Sequence, residues 1–334
     1  MGAKVRWGIL STSHHAALRV IPAIHASPSG EVVAVASRNA AQAQFYADGH
    51  HIPYSYGDYE SLLEDSDVDV IYIPLPNNLH KEWSIRAAQA GKHVLCEKPI
   101  ALNAAEAEEM AQAFRLAKRK LAEAFQWRHH PQATLARNLV REGKIGAVRL
   151  INAGFTFSLT RPENVRWKPE LGGGALYDVG CYPVALTRFI TGQEPISVTA
   201  QAHWHKSGVD DWLAATLLFP DGTLAHIDCG FALPLRRYYE ICGSDGILRV
   251  EYAYNPIGDR PCPIQRCSHD YQLLELIDVG MDNCYTLMVE DFNRAVLEDR
   301  ELPFPAEDAV GNMRTIDAIY HSARTGGVTN VENV

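Results

Sequence analysis

The chain has 334 residues, 47% of them hydrophobic, enough for two domains with cores of their own. Its 31 Lys and Arg stand against 40 Asp and Glu, a net charge of −9, which argues against a nucleic-acid binder while leaving room for a local basic pocket. No apolar run approaches the roughly 18 residues of a membrane span, and residues 1–6 lead into a strand without a signal-peptide core, so a soluble cytoplasmic protein is expected.

Over the first ~125 residues strand and helix signals alternate. The apolar runs 5–10, 31–36, 68–73, 93–96 and 120–125 read as five buried strands. Helical patterns at 15–26, 81–90 and 103–117 lie between them. That alternation predicts a parallel sheet covered on both faces. After residue 130 the texture changes. A helix over 131–142 is followed by extended stretches at 148–159, 196–205, 212–219, 223–231, 238–242 and 247–252, with a Pro220-Asp221-Gly222 turn. One helix near 174–192 is embedded among them, and two more close the chain at 284–297 and 306–323. The fold class is therefore α/β: a Rossmann-type parallel sheet over 1–127, then an α+β domain over 128–334 with a large, mostly antiparallel open sheet. The last helices are free to pack back on the first domain.

The turn after the first strand, Ser11-Thr12-Ser13-His14-His15-Ala16, stands where a dinucleotide fingerprint reads Gly-x-Gly-x-x-Gly/Ala. Both leading glycines are serines, and Ala16 fits the third position. Helix N-terminal amides and the two serine hydroxyls, of Ser11 and Ser13, can still receive a pyrophosphate, so Ser11, Thr12, Ser13 and His14 are candidate cofactor-binding residues; a plain Ser N-cap is the structural alternative. The second strand ends in Ser37-Arg38 with no acidic neighbour. That pair suits the 2′-phosphate of NADP(H), by charge-assisted hydrogen bonds.

Glu97-Lys98-Pro99 ends the fourth strand, at the carboxyl edge where open parallel sheets bind ligands. A cation at Lys98 favours a phenolate or a developing alkoxide beside it. Gly172-Gly173-Gly174 precedes a helix carrying Asp178 and Tyr182, four residues apart and so on one face. Seven scattered cysteines read as reduced thiols. Cys262, Cys267, Cys284 and His269 lack metal-site spacing, and so do the adjacent His129 and His130; no metal is expected.

Glu97-Lys98-Pro99 and Gly173-Gly174 through Asp178 and Tyr182, in this order and spacing, resemble the glucose-fructose oxidoreductase/inositol dehydrogenase (Gfo/Idh/MocA) family over the whole chain. Glu123-Ala-Phe-Gln-Trp-Arg-His-His-Pro131 and Tyr182 are similar to the branch that holds dimeric dihydrodiol dehydrogenase and xylose dehydrogenase. The resemblance implies that Lys98, Asp178 and Tyr182 are catalytic. It places Leu75, Asn77 and His80, of Pro76-Asn77-Asn78-Leu79-His80 and its approach, near the cofactor with Glu97. It assigns Arg128, Arg166 and Trp167 to cofactor or substrate. Trp127 and Trp167 become candidate stacking faces for a sugar ring, whereas Trp204 and Trp212 are read as core packing.

The function expected is NADP(H)-dependent hydride transfer to or from a sugar or sugar-like alcohol or carbonyl. The alternatives are a nucleotide-sugar ketoreductase, a trans-dihydrodiol dehydrogenase, a cofactor-assisted glycoside hydrolase and an NADP-binding sensor. A homodimer or higher homo-oligomer, built on the open sheet of the second domain, is also expected.

Overall fold

In a computed structural model that describes residues 3–333, the chain forms two compact units. One comprises Met1–Phe125 with Tyr285–Val310, the other Gln126–Cys284 with Gly311–Val334. Each segment that ends the chain's path, 285–310 and 311–334, thus belongs to a different unit.

The first unit holds β1 (Val5–Leu10), β2 (Gly30–Ala36), β3 (Tyr54–Tyr56), β4 (Val70–Ile73), β5 (His93–Cys96) and β6 (Leu121–Glu123). All pair in parallel, in the order β3-β2-β1-β4-β5-β6. This is the doubly wound order, whose ligands sit outside the carboxyl ends of the strands where the order reverses, beside β1 and β4. The sheet has six strands, not five. Tyr54–Tyr56 is three residues long and half-exposed, so it lacks the apolar run that marks the others. Its helices are α1 (Ile21–Ala26), α2 (Ala40–His50), α3 (Tyr59–Glu64), α4 (His80–Gln89) and α5 (Ala104–Ala117). Asn39, Asp58 and Asn103 cap α2, α3 and α5 through their side chains. α2 escapes the sequence pattern because its apolar face is thin, only Ala43 and Ala47 being buried, and α3 because it is only six residues long.

The second unit carries α6 (Pro131–Arg141), β7 (Val148–Ser158), α7 (Cys181–Thr191), β8 (Ser197–Trp204), β9 (Asp210–Leu218), β10 (Leu224–Gly230), β11 (Ala232–Gly243), β12 (Gly246–Val250), β13 (Ile264–Ser268) and β14 (Leu273–Ile277). Two long helices follow, α8 (Cys284–Leu297) and α9 (Ala306–Thr325), then β15 (Thr329–Asn330). Nine strands form one sheet in the order β14-β13-β12-β11-β7-β10-β9-β8-β15. Every pairing is antiparallel except β10 with β7. α7 is buried along its whole central length, from Cys181 to Ile190. On β9 the alternation is plain: Leu213, Ala215 and Leu217 are buried, while Trp212 and Ala214 face out.

α8 completes the first unit from far along the chain. Trp7 on β1 is fully buried, donates its Nε1–H to Asn293 Oδ1 at 2.9 Å, and meets the ring of Phe292 at 5.5 Å. The Asn293 amide in turn donates to Ser27 at 3.1 Å.

Candidate active site

The candidate residues fall into two groups, one in each unit. In the first, β1 leads into Ser11, whose φ is +116°. That half of the backbone map is glycine's by default, because a Cβ crowds the chain there. Ser11 therefore takes the bend of the fingerprint's first glycine at a cost in strain. Its N–H is held by Ala36 O at 3.0 Å. Ser13 O accepts from the Tyr46 hydroxyl at 2.8 Å. Thr12 is half-buried and His14 exposed. Ala16 is fully buried and opens a π-helical turn, Ala16–Val20, that runs into α1. At the end of β2, Ser37 is buried and Arg38 exposed, beside the Tyr59 hydroxyl. The bend, the small residue at the strand–helix approach and the exposed cation all fit a phosphate-bearing dinucleotide.

The loop after β4 is tied to the Glu97-Lys98-Pro99 loop. His80 is 0% exposed, with Nδ1 2.8 Å from Pro99 O and Nε2 2.9 Å from Leu75 O. Burial holds its pKa below the ordinary value. His80 is thus a strap between two loops, with no ring atom open to a ligand. Leu75 is buried and Asn77 half-buried in the turn between them. Glu97 accepts from the Tyr72 hydroxyl at 2.6 Å and from Lys98 N at 3.3 Å, and His15 Nε2 lies 3.6 Å away. Burial, then the Glu97 carboxylate, pushes the Tyr72 phenol well above its ordinary range. Glu123 on β6 takes the Ile100 N–H at 2.9 Å. The backbone around Lys98 is therefore fixed on both sides, and Lys98 itself is half-buried.

In the second unit, Asp178 and Tyr182 do not share a regular α-helix. Leu176–Gly180 is π-helical and α7 begins at Cys181. Such single-turn insertions gather at functional sites. Arg166 donates its Nε–H to Asp178 Oδ2 at 2.6 Å. Tyr182 is 6% exposed, and its ring meets Phe155 at 5.3 Å and Tyr254 at 5.6 Å. Phe155 and Tyr254 stack on each other, 5.6 Å apart and 7° from parallel.

The glycine run has a physical reason. Gly174 has φ +124°, and a Cβ there would strike Asp210. A Cβ on Gly180 would lie 2.8 Å from Cys229 Sγ on β10. Asp210 is 1% exposed, takes the Leu176 N–H at 2.7 Å and the Tyr320 hydroxyl at 2.7 Å, and so pins the start of the π turn. Burial pushes its pKa up to about 6.

Arg128 is buried, its guanidinium 5.7 Å from the Trp127 ring centre. Trp167 is half-buried against His205 at 4.5 Å and Phe231 at 5.4 Å, with Nε1–H donated to Arg161 O at 3.1 Å. Trp127 is 3% exposed and packs on Phe189 and Tyr254. Trp212 departs from expectation: it is 40% exposed and stacks on His203 at 3.8 Å. It sits on the outward parity of β9, which its indole cannot leave without breaking register. Trp204 is half-buried beside Tyr320 and Arg324.

Sequence reasoning missed Tyr72, Phe155, Asp210, Tyr254 and Tyr320. Only the Asp210-Asp211 pair, opening an otherwise apolar strand, carried a signal. Among the described residues no three His, Cys, Asp or Glu side chains converge on a metal position, no helix is long and apolar enough to cross a membrane, and all seven cysteines are free thiols.

Residues 5–125 match the oxidoreductase family with the NAD-binding Rossmann fold, and residues 134–249 match the GFO/IDH/MocA C-terminal domain. The chain is 37% identical to D-xylose 1-dehydrogenase (NADP(+)) 2 of Haloferax volcanii, over 98% of this chain and 99% of that one. It superposes on a 3-ketoreductase from Actinomadura kijaniata, in complex with NADP and TDP-benzene, with a TM-score of 0.90 and 30% identity over 96% and 98% of the two chains. It superposes on an aldose-aldose oxidoreductase from Caulobacter crescentus, complexed with glycerol, with a TM-score of 0.89 and 28% identity over 98% and 99%.

Proposed function

The chain belongs to the Gfo/Idh/MocA oxidoreductase family, and from that premise we propose that it is an NADP(H)-dependent dehydrogenase or reductase of a sugar or sugar-like alcohol. The observation that carries the reading is the immobilised Lys98 loop in the first unit together with Tyr182 in its aromatic setting in the second. The named substrate of the xylose dehydrogenase supports a sugar.

Ser11, Thr12, Ser13 and His14 would lie along the pyrophosphate, and Ser37 with Arg38 at the 2′-phosphate. When bound, the nicotinamide accepts or supplies the hydride. The residues of the chain manage the proton. Tyr182 takes it from the substrate hydroxyl during oxidation and returns it to the carbonyl oxygen during reduction. Lys98 favours the phenolate and holds the substrate oxygen. Asp178, held by Arg166 at 2.6 Å, accepts a hydrogen bond from a neighbouring hydroxyl and orients it. Arg128, Arg166 and Trp167 position the substrate or the cofactor.

A panel of aldoses, ketoses and diols with NADP+ and NADPH, followed by nicotinamide absorbance, tests this. Turnover of at least one sugar class is expected. Aryl-glycoside cleavage without net reduction would favour a cofactor-assisted hydrolase instead. Cofactor binding without any turnover would favour a sensor.

A further inference from the structure

A cavity of about 520 Å³ opens in the second unit where the β11–β12 ladder of the nine-stranded sheet ends. The regular ladder between β11 and β12 ends at the Tyr239–Val250 pair, and beyond it the chain turns through Glu251 into Tyr252. Among the cavity's lining residues are four arginines and two glutamates. Arg236 is committed to Asp228 at 2.7 Å, and Arg249 to Glu240 at 3.3 Å and Glu251 at 3.5 Å.

Arg237 and Arg260 remain. Both guanidiniums lie against the ring of Tyr252, 4.6 and 3.6 Å from its centre, and neither is paired with a carboxylate of the described residues. The nearby Asp259 takes the Tyr252 hydroxyl at 3.1 Å instead. Two cations held against one phenol repel each other, in a chain whose net charge is −9. An anion between them removes that repulsion and uses their donors. Tyr239, 2% exposed, lines the same cavity, and its hydroxyl has no hydrogen-bond partner.

The cavity adjoins the Tyr182 cluster. Arg237 stands opposite Phe155 in the β11–β7 register, and directly opposed side chains begin about 5 Å apart. The Phe155 ring touches Tyr182 at 5.3 Å. Phe155 therefore bridges Tyr182 and Arg237 on one face of the sheet, with each in direct reach of its ring. A carboxylate is satisfied by a single guanidinium fork, whereas two forks from separate segments suit the several oxygens of a phosphoryl group.

We propose that Arg237 and Arg260 form a subsite for a phosphoryl group on the sugar, so that the substrate is a sugar phosphate or a sugar linked to a nucleotide through phosphate. This rests on the sugar-oxidoreductase reading of Tyr182, but its test does not require turnover.

The full-length protein, saturated with NADP+ so that the cofactor's own phosphate contacts are taken, is titrated calorimetrically with inorganic pyrophosphate. Binding is expected in the unaltered chain. It should weaken about tenfold in Arg237→Gln and again in Arg260→Gln, as for loss of one charge-assisted contact, and stay the same in Arg294→Gln on α8. Arg260 is an exposed loop residue, so its variant keeps the test alive if Arg237→Gln does not fold. α-Glucose 1-phosphate and UDP-glucose in the same titration tell the two sources apart. Absence of pyrophosphate binding, an affinity in both arginine variants unchanged from that of the unaltered chain, or acetate binding as tightly as pyrophosphate would overturn the subsite. Failure of the oxidoreductase reading would show separately, as no turnover with the arginine-dependent binding intact.

Discussion

Tyr320 donates its hydroxyl to one oxygen of Asp210 at 2.7 Å while the other oxygen takes the Leu176 N–H, also at 2.7 Å. The carboxylate so clasped is buried, and burial raises its pKa from 3.8 to about 6. The folded chain therefore binds this proton more tightly than the unfolded one. The stabilisation is complete below about pH 4 and is lost as the pH rises through about 6, roughly 3 kcal/mol in all. Denaturant unfolding of the unaltered chain and of Asp210→Asn across this range should show the unaltered chain gaining on the variant toward acid. Parallel pH curves would count against it.

Tyr182→Phe should lower kcat by about 10²–10⁴ while NADPH still binds, since it removes general acid–base catalysis alone. Lys98→Ala should do at least as much damage. The double variant should be barely worse than the worse single one, because groups acting as a unit are not additive. Near-normal kcat in Tyr182→Phe would place the proton donor elsewhere. His80 is not available for that part, with both ring nitrogens against carbonyl oxygens and no exposed surface.

Arg38 is exposed at the end of β2, with no acidic residue from Ser37 to Ala40. NADP(H) should bind more tightly than NAD(H), and Arg38→Ala should cut that preference about tenfold or more. Comparing dissociation constants for both cofactors checks it; equal affinities in the unaltered chain would remove the basis for the preference.

At Ser11, φ is +116°. A non-glycine residue held there costs on the order of 1–3 kcal/mol, partly offset in a glycine variant by the greater freedom of its unfolded chain. Ser11→Gly should therefore raise the unfolding free energy by about 1 kcal/mol, and Ser11→Ala should not. Urea titrations of the three proteins decide the matter, and no gain in the glycine variant would mean the bend carries no strain.

The outward face of β8–β10 presents Trp212 at 40% exposure, stacked on His203, with Ala214 beside it. A one-sided sheet with such a face needs a cover. A second copy of the chain is the expected one, giving a dimer or larger assembly by light scattering at micromolar concentration. Trp212→Glu should shift the mass toward one chain. A monomer in the unaltered protein would refute this.

The parallel sheet was legible because its strands are buried on both faces and read as continuous apolar runs. Tyr54–Tyr56 escaped because a short edge strand needs no such run. Lys98, Asp178 and Tyr182 stood out through motif spacing. Their supports did not: nothing local tells Tyr72 from any buried tyrosine, and the Glu97 it meets is 25 residues away. The π turn at Leu176–Gly180 was hidden for a related reason. It is an insertion of one residue in the helical hydrogen-bond pattern, and the i, i+4 spacing of Asp178 and Tyr182 looks the same with or without it.

The hydrogen bond between Trp7 and Asn293 joins residues 286 apart in the chain, and this has a bearing on synthesis. A ribosome that has made all six strands of the parallel sheet has not yet made α8. Trp7, fully buried in the finished unit, waits without its Asn293 and Phe292 partners while residues Gln126–Cys284 of the second unit are translated, which at about 5–20 residues per second takes on the order of ten seconds or more. A nascent chain released before Tyr285 would expose that indole, so chaperone capture of truncated chains should fall once residues 285–310 have emerged.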